Sequence, residues 1–185
     1  MKAKQVVFIL TVILLSVASE SYAQRRVINT PHRTVVQGPR GTVVYRKRPV
    51  ARPVRRLPRS AVVVRYRNVP YYYHGGLFYV SRNGVYVRTV PPVGIRIVAL
   101  PAGYVQVVVG PQVFFYAGGI FYILDEASRE YAVADPPVGA IVSQLPSDAA
   151  EIEIDGKPFM EYNGTIYKQV TIEKTGYEVV GKLDE

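Results

Sequence analysis

The 185-residue chain contains no cysteine, no tryptophan and only two histidines, His32 and His74. Without cysteine there is no disulfide framework, no thiol nucleophile, no zinc ribbon and no lipidated N-terminal cysteine. Two histidines leave little for an imidazole-based metal site or catalytic triad. Helix signals are missing too. No stretch beyond residue 60 carries apolar residues at 3.6-residue spacing, and residues 141–150 would make one helical turn at most. Acidic residues are absent between Glu20 and Asp125, so the formal net charge of +9 hides an uneven distribution.

What is present begins with an address. Lys2 and Lys4 precede an apolar run from Val6 to Val17, and Ser21-Tyr22-Ala23 then offers small residues at a cleavage site before Gln24. These are the three parts of a secretory signal peptide. The run is shorter than the roughly 20 residues that span a bilayer, which favours cleavage over a membrane anchor. The expectation is a protein exported to the periplasm or cell surface, with residues 1–23 removed and no transmembrane segment left.

The charge then falls into two blocks. From Gln24 to Pro70 there are 12 Arg, one Lys and six Pro, with no acid; from Tyr71 to Glu185 there are 8 basic and 13 acidic residues. Like-charge repulsion and proline-blocked donors predict that residues 24–59 form an extended, disordered basic arm. Its valine pairs, Val35-Val36 and Val43-Val44, are candidates for pairing as strands on a partner. The candidate anion-binding residues are Arg25, Arg26, Arg33, Arg40, Arg46, Lys47, Arg48, Arg52, Arg55, Arg56 and Arg59. Three readings of the arm stand. It binds anionic envelope polymers such as lipopolysaccharide or acidic glycans; it binds nucleic acid, since arginine suits phosphates; or it is a spacer that touches the chain's own acidic half. Export places envelope polymers nearer than chromosomal DNA, so nucleic acid is the less favoured partner.

Self-comparison exposes a repeat. Tyr72-Tyr73-His74-Gly75-Gly76-Leu77-Phe78-Tyr79 returns as Phe115-Tyr116-Ala117-Gly118-Gly119-Ile120-Phe121-Tyr122, and more weakly as Glu161-Tyr162-Asn163-Gly164-Thr165-Ile166-Tyr167-Lys168. Pro91-Pro92-Val93-Gly94 matches Pro136-Pro137-Val138-Gly139, and Leu100-Pro101 and Leu145-Pro146 follow at the same offset. Gly110-Pro111, Asn83-Gly84, Asp155-Gly156 and Asn163-Gly164 read as hairpin turns between short strands. The paired prolines cannot donate to a ladder, so they end strands. The predicted fold is all-β: tandem antiparallel meanders, as small barrels or sheet packs, after the disordered arm. The domain is expected over residues 60–185, in units of about 60–103 and 104–148 and a partial one at 149–185. Units this alike can exchange strands between chains, so a homo-oligomer belongs among the expected partners, beside another envelope protein.

The Tyr-rich Gly-Gly element, the Pro-Pro-Val-Gly box and the Leu100–Tyr104 segment together resemble a family of small exported bacterial proteins carrying a domain of unknown function. The likeness covers about residues 71–185. It implies export and a repeat β fold, and it carries no catalytic residues over.

Site chemistry is sparse. His74 precedes a Gly-Gly turn, but its repeat equivalents are Ala117 and Asn163, so it reads as a surface turn residue. Asp125, Glu126 and Glu130 sit at a hairpin tip and lack the spaced acidic pattern of a calcium loop. No glycine pair leads into a phosphate loop, and no serine lies in a nucleophile elbow. Neither a metal nor a cofactor is expected, and no catalytic constellation emerges. Strand alternation should put one set of aromatics on a surface, with Tyr71, Tyr73, Tyr79, Tyr116 and Tyr122 as candidates for stacking on sugars or peptides. Cross-strand packing is the plainer and preferred explanation. The function expected is that of a non-enzymatic envelope protein whose repeat body is an interaction or structural module. The alternative is a carbohydrate- or peptide-binding module using exposed tyrosine faces.

Overall fold

The computed structural model describes residues 26–29, 33–38, 41–46, 52–171 and 175–183. The expected signal peptide and Arg25, His32, Arg40, Lys47 and Arg48 lie outside these residues. Every described element is a β-strand and every pairing is antiparallel.

The arm contributes β1 (Arg26–Asn29), β2 (Arg33–Gly38) and β3 (Gly41–Arg46). Unit 1 is a meander of β4 (Val62–Tyr66), β5 (Val69–His74), β6 (Leu77–Arg82) and β7 (Val85–Thr89). Unit 2 receives β8 (Arg96–Ile97) and then runs through β9 (Val105–Val109), β10 (Gln112–Ala117), β11 (Ile120–Asp125) and β12 (Glu130–Ala134). Unit 3 receives β13 (Ile141–Val142), followed by β14 (Ala150–Ile154), β15 (Lys157–Tyr162), β16 (Thr165–Thr171) and β17 (Thr175–Lys182). The third unit is therefore a full four-stranded meander. A partial unit is the expectation for residues 149–185, which lack a Pro-Pro box and are richer in acids, but that box belongs to the linkers and not to the meander.

Local chemistry explains the linkers. After each proline pair the carbonyl of Pro92 or Pro137 accepts a hydrogen bond from the N–H of Ile95 or Ala140. Gly94 and Gly139, at φ +89° and +87°, occupy the position of a type II turn that demands positive φ. The turn aims the next few residues at the last strand of the following unit: β8 pairs with β12, and β13 with β17. The lead-in strand and the first meander strand thus lie at opposite edges of one sheet, in the order β8-β12-β11-β10-β9.

The same device operates one unit earlier than expected. Val54 and Tyr86 exchange both backbone hydrogen bonds, at 2.9 and 2.8 Å. Val54 lies three residues before Leu57-Pro58, as Ile97 does before Leu100-Pro101 and Val142 before Leu145-Pro146. Their partners Tyr86, Tyr131 and Tyr177 occupy one equivalent position. Backbone pairing of the first unit therefore reaches back to Val54, ahead of the expected start at Ser60 and inside the arm expected over residues 24–59.

The third repeat also needs a shift of one residue. The strand pairs His74↔Leu77, Ala117↔Ile120 and Tyr162↔Thr165 flank the turns. Asn163-Gly164 therefore sits where Gly118-Gly119 sits, and the equivalent of His74 in unit 3 is Tyr162. A two-residue turn fixes hairpin register, so the turn and not the best-matching tyrosine sets the alignment.

Two cores follow from strand alternation. Phe115, Ala117, Ile120, Tyr122 and Val133 of unit 2 join Ile95, Ile97 and Phe78, with Val64, Tyr66, Tyr71 and Tyr73 of unit 1 packed against them. Val107, Tyr116 and Phe121, on the opposite face of the same strands, join Ala140, Val142, Ala149, Tyr162, Tyr167 and Val179 of unit 3. Unit 2 is buried on both faces, with a phenylalanine such as Phe121 contributing roughly 1.5–3 kcal/mol by leaving water.

Candidate functional site

The tyrosine surface does not exist as expected. Tyr116 and Tyr122 are buried, and Tyr71 and Tyr73 are half-buried against the first core. Tyr79 alone of the five is half-buried outside both cores. Alternation did assign these rings to two faces, but neighbouring units cover both. The hydroxyls of Tyr73, Tyr122 and Tyr167 are buried without a hydrogen-bond partner among the described residues. Burial pushes the ionisation of Tyr73, Tyr116, Tyr122, Tyr162 and Tyr167 upward, so all five rings are neutral and structural at ordinary pH.

The acidic hairpin tip is structural as well. Asp125 accepts backbone N–H bonds from Ala127 and Ser128 at 3.0 and 3.2 Å, and pairs with Arg96 at 2.5 Å. The Arg96 hydrogen bond comes first among the causes that hold the Asp125 carboxyl below the usual range. Glu130 lies 3.7 Å from the same guanidinium. His74 Nδ1 sits 3.3 Å from Ser60 Oγ. Among the described residues no group of three His, Cys, Asp or Glu side chains is arranged to hold a metal.

Two features remain. The first is the charge of unit 1. Residues 52–90 carry eight arginines and no acid. Arg52, Arg55, Arg56 and Arg59 on the lead-in segment, with Arg65, Arg67 and Arg82 on the meander, are all exposed. None of the seven forms an ion pair among the described residues, where the paired arginines are Arg88 and Arg96. Arg67 instead lies over the Tyr66 ring, 5.3 Å from its centroid. The predicted anion-binding residues Arg52, Arg55, Arg56 and Arg59 thus stand on an ordered scaffold. Arg26, Arg33 and Arg46 belong to arm strands, described here by their backbones alone. The signal for the scaffold, Val54-x-x-Leu57-Pro58, was in the sequence but lay inside the arginine run that read as disorder.

The second feature is the arm's seat. β3 pairs with β14 through Val43↔Ile154, Val44↔Glu153 and Tyr45↔Ile152. The Thr42 N–H donates to Asp155 Oδ1 at 3.2 Å, and the Asp155 N–H to the Thr42 carbonyl at 3.3 Å. The valine pair expected to add to a partner's sheet adds to this chain's own acidic unit. Glu151, Glu153 and Asp155 give that strand a negative edge facing a segment whose only charges are positive. Beside it, Val44, Glu151, Ile152, Glu153, Pro158, Phe159, Met160 and Gln169 line a cavity of about 230 Å³.

Between units 2 and 3 lies a larger cleft of about 400 Å³, bounded by Tyr116, Gly118, Gly119 and the Ser143–Pro146 segment. Within it the Tyr116 hydroxyl donates to the Gln144 carbonyl at 3.0 Å. Nearby Arg88 of unit 1 pairs with Asp148 at 2.6 Å and donates to the Tyr162 hydroxyl, strapping the first unit to the third.

Three linked meanders, each handing a short strand to the next, define an all-β tandem-repeat protein. Within that class, the chain belongs to a family of unknown function, DUF6515, whose model matches residues 17–182. No curated protein and no solved structure matches it.

Proposed function

We propose that the protein is a non-enzymatic component of the cell envelope, exported and then processed after Ala23, whose basic arm and first unit contact anionic polymers. The carrying observation is the set of seven exposed arginines without an ion pair among the described residues, on a unit that has no acid of its own. Arginines on a folded backbone spare the chain-ordering cost that a free arm would meet on binding, and their planar forks suit phosphate and carboxylate groups. Lipopolysaccharide phosphates and acidic glycans are the ligand class. Units 2 and 3 serve as the structural and interaction module that presents the basic face.

The experiment compares binding of the purified protein to lipopolysaccharide, an acidic glycan and a neutral glycan across a salt series. Affinity for the anionic ligands should fall steeply with salt, by analogy with the counterion release seen on nucleic acids. Replacing Arg52, Arg55, Arg56 and Arg59 by Gln should weaken binding and flatten the salt slope. Equal, salt-insensitive binding to the neutral glycan would overturn the reading.

A further inference from the structure

The first meander strands of the three units are structural equivalents, and the outer edge of one is filled. In a two-residue hairpin the flanking residues exchange both hydrogen bonds, and bonding alternates from there. Val109, Val107 and Val105 of β9 therefore bond to Gln112, Phe114 and Tyr116 of β10. The N–H and C=O groups of Val108 and Gln106 point away from it, to an edge that pairs with nothing among the described residues. On β14 the residue equivalent to Val108 is Glu153, and there the edge is taken by β3. On β4 it is Arg65.

These three residues decide what each edge accepts. The Glu153 edge attracts a basic strand. The Arg65 edge would repel both the arm and a copy of itself. The β9 edge, Val-Gln-Val-Val-Val, has no charge and no proline, the usual guards of an open edge. Its Val105 and Val108 side chains are 40 % and 67 % exposed. It offers the arm no attraction to outweigh the Glu153 seat.

We infer that β9 is a self-association edge, which pairs antiparallel with β9 of a second copy about a two-fold axis at Val107. Gln106 of each protomer then faces Val108 of its partner, and those two residues supply all the outward-pointing backbone groups. Two five-stranded sheets become one ten-stranded sheet. Two-fold pairing is closed, so it satisfies the edge without leading to a filament.

The test uses the absence of native cysteine. Two Val107 residues would meet as a non-hydrogen-bonded pair with Cα atoms about 4.5 Å apart, within disulfide range. Val107→Cys should therefore give a covalent homodimer on mild oxidation, while Val108→Cys, set off from its own copy, should not. In sedimentation velocity the unmodified protein should show a concentration-dependent dimer. Val108→Pro removes one outward donor per protomer without touching the β10 ladder, and should weaken that dimer at least about tenfold. A monomer at all concentrations would overturn the inference, as would a dimer indifferent to Val108→Pro. Dissociation by Val108→Pro without Val107→Cys crosslinking would mean that the arm of another copy occupies the edge, which also overturns it.

Discussion

Units 2 and 3 share a backbone plan and differ in what closes them. The diglycine turn of unit 2 is covered by the next unit: a Cβ on Gly119 would lie 2.1 Å from Tyr162 Cε1 and 2.8 Å from Pro146 Cγ. At the equivalent Gly164 in unit 3 a Cβ would meet nothing within 4 Å. The first-strand edges differ the other way, since β14 is filled by the arm and the outer edge of β9 is open among the described residues. The contrast teaches that the seam between units 2 and 3 sets a glycine against a bulky ring, and that the edge taken by the arm is the one that carries acids.

The sharpest break of that comparison is Gly119→Ala. It should cost roughly 3 kcal/mol or more, because overpacking adds to the strain of φ +85°. Gly164→Ala, with strain alone at φ +79°, should cost about 1 kcal/mol. Urea unfolding of the two variants, compared with the parent, measures the difference. Equal losses would mean that the unit 2–unit 3 seam contributes nothing special.

Alkaline titration probes the seams as a whole. Tyr73, Tyr116, Tyr122, Tyr162 and Tyr167 ionise at higher pH in the folded protein than in the unfolded chain. Their contribution is fully present below the unfolded value of about 10 and is lost as pH climbs above it toward the folded values. Stability should drop from about pH 10 upward, with much of the tyrosinate absorbance appearing together with unfolding. A smooth titration of every tyrosine near pH 10, in a still-folded protein, would contradict the buried seams.

A smaller effect is expected from Glu153→Arg, which gives unit 3 the edge character of unit 1. The arm strand should loosen, with faster hydrogen exchange at Thr42 and Val44 and a loss of about 1 kcal/mol or less, reproduced in part by high salt. The smallest effect belongs to the hairpin tip. Because the folded carboxyl of Asp125 is held low, its contribution is present above the ordinary carboxylate value and fades as pH falls through the folded value. Asp125→Asn should therefore narrow the gap in urea midpoint between pH 7 and pH 3.

Much of this plan was legible in the residues. Gly-Gly, Asn-Gly and Asp-Gly turns demand positive φ at fixed places, and proline pairs withhold donors, so strand ends and repeat spacing followed directly. The third repeat slipped by one residue because Tyr162 resembles Tyr116 in type, while the turn at Asn163-Gly164 governs position. Val54 went unrecognised because four nearby arginines suggested a solvated chain, although a lead-in strand needs only one apolar residue and its backbone. Tyr116 and Tyr122 stood as surface candidates beside the preferred reading of cross-strand packing, because alternation gives a strand two faces and is silent on whether a neighbour covers the second.

The sequence by itself determined the class, the strand boundaries, the turn chemistry and the separation of basic from acidic charge, since these depend on local dihedral preference and composition. Tertiary structure decided what no local preference encodes. It buried unit 2 on both faces, sent the arm's valines to the acidic edge of the chain's own last unit, and left the outer edge of β9 without a partner among the described residues. Each of those outcomes is set by which surfaces lie next to each other once the chain has folded, and by the charge they then face.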